Sequence, residues 1–149
     1  MKENIEMQEI LICVQSDRNV KRMKNYIQHG CVSTYEHCEN VAKLCYDIDK
    51  IFSLHADLKV LLTGAMLHDF YLYDWHSKDC GEHRLHGLRH AETACKNARK
   101  YLDVDDKTMD VISCHMWPLN PRRIPSSKEA WIVCMADKLV SLYETFFRR

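Results

Sequence analysis

Apolar residues recur at intervals of three and four along most of this 149-residue chain, the spacing that places them on one face of a helix. The clearest case follows Ser33, which forms a capping box with Glu36, the signature of a helix start. A helix is therefore predicted from this point to about Phe52. Its apolar stripe consists of Val41, Leu44, Cys45, Ile48 and Ile51.

The same periodicity predicts further helices on both sides of this one. Two short amphipathic helices are predicted over residues 4–15 and 17–28, and Asp57 is placed to cap a helix that ends near His68-Asp69. Later helices are predicted over 87–101, from Asp105 or Asp106 to His115, and from a second capping box at Ser126 and Glu129 through Phe146. The polar stretch 74–85 and the proline-rich stretch 117–127 are predicted to be loops.

Composition narrows the class of protein. The length favours one domain over residues 1–149. Lys and Arg total 21, as do Asp and Glu, so the chain lacks the basic excess of a dedicated nucleic-acid binder. No apolar stretch reaches the roughly 18–20 residues that cross a bilayer, and the N-terminus lacks the apolar core of a signal peptide. We therefore expect a cytoplasmic protein that binds neither membranes nor nucleic acids.

The eight cysteines are scattered, and no two are spaced as Cys-x-x-Cys. Several lie within apolar helical patterns, where a free cysteine acts as a small hydrophobic residue. We therefore expect reduced, mostly buried thiols rather than disulfides or a zinc–thiolate site.

The predicted core faces carry metal-binding side chains at four separate places. Each of the four lies three, four or seven residues from an apolar residue of its own helix, and they are His37, His68, His115 and Asp137. His86 and His90 stand one turn apart at the start of a fifth helix. A single inward histidine is usually a hydrogen-bonded core residue, and a buried aspartate usually has a basic partner. A divalent cation explains all of these positions at once, because it is bound by both neutral imidazoles and carboxylates.

The order His37, His68-Asp69, Asp137 resembles the HD-domain superfamily of metal-dependent phosphohydrolases. The resemblance extends to five segments in the same order, which together span about residues 22–144. These segments are "YIQHGCVSTYEHCENVAKLCYDI", "LLTGAMLHDF", "HGLRHAETA", "DVISCHMWP" and "IVCMADKLVSLYE". The resemblance implies an all-α fold, a compact bundle of about six to seven helices around a central metal site. Residues 1–21 would be an N-terminal helical extension.

The resemblance also implies which residues hold the metal. His37, His68, Asp69 and Asp137 would bind one divalent ion, and His86 and His115 would bind a second that is bridged to the first through Asp69. His90 is the alternative to His86, which the motif favours because it directly precedes Gly87. His68 and Asp69 would be the catalytic residues. The site would hold one or two divalent ions, which could be manganese, iron, magnesium, zinc, nickel or cobalt.

The chemistry that follows is hydrolysis by metal-activated water, because a bound divalent ion lowers the pKa of water from about 16 toward 7. The expected substrate is a nucleotide or another small phosphorylated metabolite. An anionic substrate needs basic groups, for which the candidates are Arg89, Arg122, Arg123 and Lys138. Two other functions stay open, namely a di-iron oxygenase of the same superfamily and a non-catalytic module that senses a nucleotide or a metal. Phe146 and Phe147 beside the terminal arginines indicate a contact surface, which leaves a homodimer as one option.

Overall fold

The structure is a computed structural model that describes residues 2–77 and 86–148, with the side chains of residues 2–4 excepted. It confirms the predicted mainly helical fold and adds one small hairpin. The helices are α1 Lys2–Gln15, α2 Arg18–Lys21, α3 Thr34–Phe52, α4 Leu58–Leu67, α5 His86–Tyr101, α6 Asp106–Cys114 and α7 Lys128–Phe147. A 3₁₀ turn covers Arg22–Asn25, and the strands are β1 Ile27–His29 and β2 Val32–Ser33.

Helix α4 lies at the centre of the bundle, in contact with α1, α3, α6 and α7. Its sequence is apolar on nearly every side, which is typical of a helix that is surrounded by protein. Six of its side chains are almost fully buried, namely Val60, Leu61, Leu62, Ala65, Met66 and Leu67. The segment that carries His68 and Asp69 therefore ends in the interior of the molecule.

Three of the predicted helix caps are confirmed. The Ser33 hydroxyl accepts a hydrogen bond from the Glu36 amide at 3.2 Å, and the Asp57 and Asp105 carboxylates cap α4 and α6 in the same way. The cap predicted at Ser126 is wrong by one residue. Ser127 caps α7 through the Ala130 amide, because the Ser126 hydroxyl instead donates to Asp110.

The helix predicted over residues 17–28 is wrong beyond its first turns. Only Arg18–Lys21 is α-helical, and the backbone of Tyr26 is already extended. The chain then forms the antiparallel hairpin β1–β2, with Gly30 at a positive φ of 55° in its turn. A left-handed backbone at this position suits glycine, which has no Cβ. The register is irregular between Ile27 and His29, and Gln28, which lies at this irregularity, has a buried side chain.

Smaller predictions have mixed outcomes. Val41 and Cys45 of the predicted α3 stripe are fully buried, but Ile51 is 74% exposed because it lies in the last turn, beyond the core. Residues 117–127 form the predicted loop, while part of the predicted 74–85 loop lies outside the described residues. The seven described cysteines are free thiols. In the described ranges, no helix combines the length and apolar character needed to span a bilayer.

Replacing Gly64 should destabilise the fold, because α4 and α6 touch at this point. A Cβ on Gly64 would lie 2.6 Å from Cγ1 of Val111, well inside van der Waals contact. We expect Gly64→Ala to cost about 1–3 kcal/mol of unfolding free energy, as overpacking of a tight core does. Chemical denaturation measures this cost.

The matched control is Gly87→Ala on α5, where the nearest atom would lie at 3.4 Å, and this variant should be close to neutral. Val111→Ala should offset part of the Gly64→Ala cost in the double variant. The predicted contact would be contradicted if the stability losses of the two single variants simply added in the double variant. It would also be contradicted if Gly64→Ala were as stable as the parent.

Candidate metal centre

Four buried imidazoles from four helices or helix ends meet in the middle of the bundle. His37 comes from α3, His68 from the end of α4, His90 from α5 and His115 from the end of α6. Each is at most 4% exposed. The carboxylates of Asp69 and Asp137 lie among them, 1% and 8% exposed.

Helix ends orient two of the rings. His68 and His115 follow the last turns of α4 and α6, where backbone carbonyls have no partner within the helix. Nδ1 of His68 lies 2.7 Å from the Ala65 carbonyl oxygen, and Nδ1 of His115 lies 2.8 Å from that of Ile112. A carbonyl oxygen only accepts, so each Nδ1 carries the hydrogen. In the neutral ring, Nε2 is then a bare lone pair that faces the centre.

The other two rings are fixed in the same tautomer. Nδ1 of His90 donates to the His86 carbonyl at 2.8 Å, and Nδ1 of His37 donates to a carboxylate oxygen of Glu144 at 2.8 Å. Their Nε2 atoms therefore also face inward. A metal-binding histidine usually donates its second ring hydrogen to a carbonyl or carboxylate in this way.

The two oxygens of Asp69 face different groups of histidines. Oδ2 lies 3.4 Å from Nε2 of His68 and 3.8 Å from Nε2 of His37. Oδ1 lies 3.1 Å from Nε2 of His90 and 3.5 Å from Nε2 of His115. This carboxylate is thus placed to be shared between two neighbouring groups of ligands.

Asp137 completes the first of these groups from α7. Its Oδ1 lies 3.1 Å from Nε2 of His37 and 3.5 Å from Nε2 of His68. Two ligands held at about 2.1 Å from one ion stand about 3 Å apart when they are at right angles. The spacing of these atoms therefore fits a shared cation.

The second group contains a close pair that needs a positive charge. Nε2 of His90 and Nε2 of His115 are 3.0 Å apart, and both rings already hold their hydrogen on Nδ1. Two facing lone pairs repel unless a proton or a metal ion lies between them. Among the described residues, the buried atoms Nε2 of His68 and Oδ1 of Asp69 have no hydrogen-bond partner, although an imidazole nitrogen lies 3.1 Å from the latter. The residues present fit a divalent cation.

In this site, burial and the neighbouring charges act on the pKa values in opposite directions. Burial lowers the pKa of His37, but hydrogen bonds to Asp137 and Glu144 outweigh it and raise the pKa to about 10. Burial would raise the pKa of Asp69, yet the His68 and His90 imidazoles hold that pKa well below its usual range. Burial lowers the pKa of His115, which favours the neutral ring that a metal requires. Burial would likewise raise the pKa of Asp137, but hydrogen bonds from His37 and His68 hold that pKa well below its usual range, so both carboxylates are ionised.

His86 lies beside this cluster rather than within it. Its ring is stacked between Trp75, at a centroid distance of 4.9 Å, and His90, at 4.6 Å. Its Nδ1 is 2.8 Å from the Tyr73 hydroxyl. His90 is the residue of this pair that comes within 3.1 Å of Asp69, so the geometry favours the alternative ligand over the first choice.

Sequence reasoning missed Glu144, which is 1% exposed and holds the His37 ring. Its other oxygen accepts from Nδ2 of Asn40 at 3.0 Å, so both oxygens are engaged. The available signal was spacing, because Glu144 lies seven residues after Asp137 and therefore on the same helix face.

The hairpin supplies two further residues near the cluster, Gln28 and His29, and Tyr71 and Thr34 contact Gln28 or each other beside them. Nε2 of Gln28 donates to Oδ2 of Asp69 at 2.6 Å, and the Tyr71 hydroxyl donates to the Gln28 side-chain carbonyl. Thr34 contacts the same hydroxyl at 3.1 Å. The His29 ring meets the His37 ring edge-on at 5.4 Å. The sequence pattern predicts helix at Gln28 and a loop at His29, and the contacts of both depend on a hairpin that periodicity does not reveal.

The predicted substrate-binding residues do not share one location. Arg89, Arg122 and Arg123 are exposed, and Arg123 lines a small separate cavity. Lys138 lines the same cavity as Asp69 and Asp137, but its ammonium donates to the carbonyls of His115 and Cys134.

A cavity of about 860 Å³ opens onto the cluster. Asp69, His90 and Asp137 lie on its lining with His29 and Ser141, and its apolar walls are Trp75, Met116, Pro118 and Leu119. A small molecule can therefore reach the buried carboxylates from solvent.

The comparisons with known proteins point to one family. Residues 34–142 match the HD domain, a segment that runs from the start of α3 into α7 and includes all six residues of the cluster. Proteins with this domain are typically metal-dependent phosphohydrolases that bind divalent metals. No curated protein and no solved structure matches the chain significantly.

Glu144→Gln should weaken divalent metal binding about 10- to 100-fold, as loss of an outer partner of a ligating histidine does. An amide has one oxygen, so its NH₂ group must face a donor, either His37 or Asn40. Titration of the metal-free protein with Mn²⁺ against a competing chelator measures the change. Glu129→Gln is the control, because this buried residue of α7 bonds the Asp57 amide instead and should leave affinity unchanged. Equal affinities in Glu144→Gln and the parent would refute this role.

Metal binding should release protons and tighten as the pH rises from 6 to 8. With a pKa of about 10, His37 is protonated in the metal-free protein at neutral pH, and the ion must displace that proton from Nε2. Calorimetry in two buffers of different ionisation enthalpy counts the protons. Affinity that is independent of pH, with no protons released, would show that the ion does not bind at this imidazole.

Proposed function

This chain belongs to the HD domain family, and we propose that it hydrolyses a phosphate ester or phosphoanhydride of a nucleotide or another small phosphorylated metabolite. The observation that carries the proposal is the convergence of four inward Nε2 atoms on two ionised carboxylates at an accessible cavity. Packing alone does not explain these residues, because buried carboxylates and facing lone pairs cost free energy of folding unless a cation lies between them.

We assign the ligands to two adjoining positions. One ion would be held by His37, His68, Asp69 and Asp137, and a second by Asp69, His90 and His115. The imidazole majority suits manganese, iron, cobalt, nickel or zinc better than magnesium, which prefers oxygen ligands. His86 would act on the second position through His90, which it supports by ring stacking and by its backbone carbonyl.

When bound, divalent ions provide hydroxide from water near neutral pH and neutralise charge on phosphoryl oxygens. The protein's own contribution is to hold the surrounding groups rigid. Gln28 fixes one oxygen of Asp69, and Glu144 fixes the His37 ring. Because these groups are buried, their charges act in a medium of low dielectric, where they are stronger than in water.

The cavity supports a small substrate. Its volume of about 860 Å³ lies within the roughly 300–1,000 Å³ of ligand pockets. Ser141 and His29 line the same cavity as the two carboxylates, and the Ser141 hydroxyl donates to Asp137. Both side chains would be available to contact a phosphoryl group. The apolar walls would hold the remainder of the molecule. Lys138 would steady the site by its backbone contacts and add positive charge at the rim.

Asp69→Ala should abolish metal-dependent hydrolysis, with a loss of at least about a thousandfold, because one carboxylate serves both ligand groups. The assay is phosphate release from a panel of phosphorylated metabolites with the Mn²⁺-loaded protein. Asp47→Ala, the same change at an exposed position of α3, is the control and should retain activity. A parent protein that is loaded with metal and hydrolyses nothing on the panel would contradict the proposal, as would an active Asp69→Ala variant.

A di-iron oxygenase is the second candidate, favoured by one observation. Of the described residues that line the cavity, Lys138 is the one lysine or arginine, and its ammonium is directed to backbone carbonyls. A substrate with little negative charge would suit such a lining. Oxygen uptake by the iron-loaded protein, without phosphate release from the panel, would favour this candidate over hydrolysis.

A further inference from the structure

Helix α7 has an exposed face that carries almost no polar groups. From Glu129 to Phe147 the exposed side chains, apart from Thr145, are all apolar, and we call this set the α7 face. It consists of Trp131, Met135, Leu139, Leu142, Tyr143, Phe146 and Phe147, which are between 38% and 75% exposed.

The charged residues of the helix are buried or held by backbone groups. Lys128, the first residue of α7, is exposed, and its ammonium donates to the carbonyls of Leu54 and His55. Glu129, Asp137 and Glu144 are buried, and the half-buried Lys138 bonds two backbone carbonyls. Helices on a protein surface normally turn charged residues to solvent. In α7 the acidic side chains are buried, and the side of the helix that faces water is mainly apolar.

The size of the α7 face is that of one half of a stable interface. Large apolar side chains at these exposures offer on the order of 100 Å² each, since a whole aromatic side chain buries about 150–250 Å². The seven together offer roughly 700 Å², against about 800 Å² per partner in a standard interface. Apolar patches on monomers rarely exceed about 300–600 Å².

We propose that the α7 face binds the α7 face of a second copy of this chain, with the two helices antiparallel about a two-fold axis near Leu139. In a two-fold interface the same surface meets itself, so a charge near the axis would lie close to its own copy. The seven residues of the α7 face carry no charge, which avoids that repulsion. Met135, Leu139, Leu142 and Phe146 are spaced by four, three and four residues, the seam along which paired helices interlock side chains.

The consequence is a dimer whose contact helix also carries Asp137 and Glu144 on its opposite side. Pairing would place each metal centre one helix away from the interface, without taking any of its residues. This inference goes beyond the proposed function and stands independently of the reaction that the site performs.

Sedimentation equilibrium of the full chain tests the proposal. We expect a mass of twice 17.6 kDa at micromolar concentration. Leu139→Glu should raise the dissociation constant at least about thirtyfold, as loss of a central interface residue does. Ile12→Glu is the matched control, because Ile12 is a 63% exposed apolar residue on α1, away from the α7 face, and this variant should remain dimeric.

Circular dichroism and manganese content of Leu139→Glu should equal those of the parent, which separates loss of the dimer from loss of the fold. If that variant does not fold, Leu142→Ala replaces it and should weaken the dimer about tenfold. A parent chain that stays monomeric up to about 100 μM would overturn the proposal. So would a dimer that survives both α7 changes, or one that Ile12→Glu weakens equally.

Discussion

The fold is organised around one electrostatic constraint, the burial of the Asp69 and Asp137 carboxylates among imidazoles whose Nε2 atoms point at them. Neither group is stable alone in the interior, since an ionised carboxylate without a partner costs several kcal/mol at least. Each oxygen of Asp69 faces a different pair of rings, at 3.1–3.8 Å. A cation shared among these atoms resolves the conflict, and protons on the imidazoles resolve part of it when no cation is bound.

Secondary structure supplies the orientation that this arrangement requires. His68 and His115 stand where helices end, and each donates Nδ1–H to a carbonyl three residues earlier. His37 depends on a carboxylate from a different helix. The backbone and Glu144 therefore hold the Nδ1 hydrogen of all four rings, which directs each Nε2 to the centre before any ion binds. The central position of α4, which is apolar on nearly every side, places the adjacent His68-Asp69 pair in the interior of the bundle.

Much of this could be predicted from the sequence, and the remainder could not for identifiable reasons. Helix periodicity and capping residues located α3, α4, α6 and α7, because those signals are local. Register on a helix placed His37, His68, His115 and Asp137 inward. The start of the hairpin, including Gln28, was predicted as helix, and the contact of Gln28 with Asp69 joins residues 41 positions apart, which a local pattern does not reveal. The choice between His86 and His90, one turn apart on α5, depends on how that helix rotates against α6.

The most direct test of the central claim is the anomalous diffraction of crystals of this protein grown with Mn²⁺. A strong peak should lie about 2.1–2.3 Å from Nε2 of His37, Nε2 of His68 and Oδ1 of Asp137. Asp69 should provide a further ligand to the same ion. The contrary result is a crystal grown in excess Mn²⁺ that shows no peak at these atoms and imidazoles that bond only the carboxylates. That result would show that the cluster is a hydrogen-bonded core and not a metal centre.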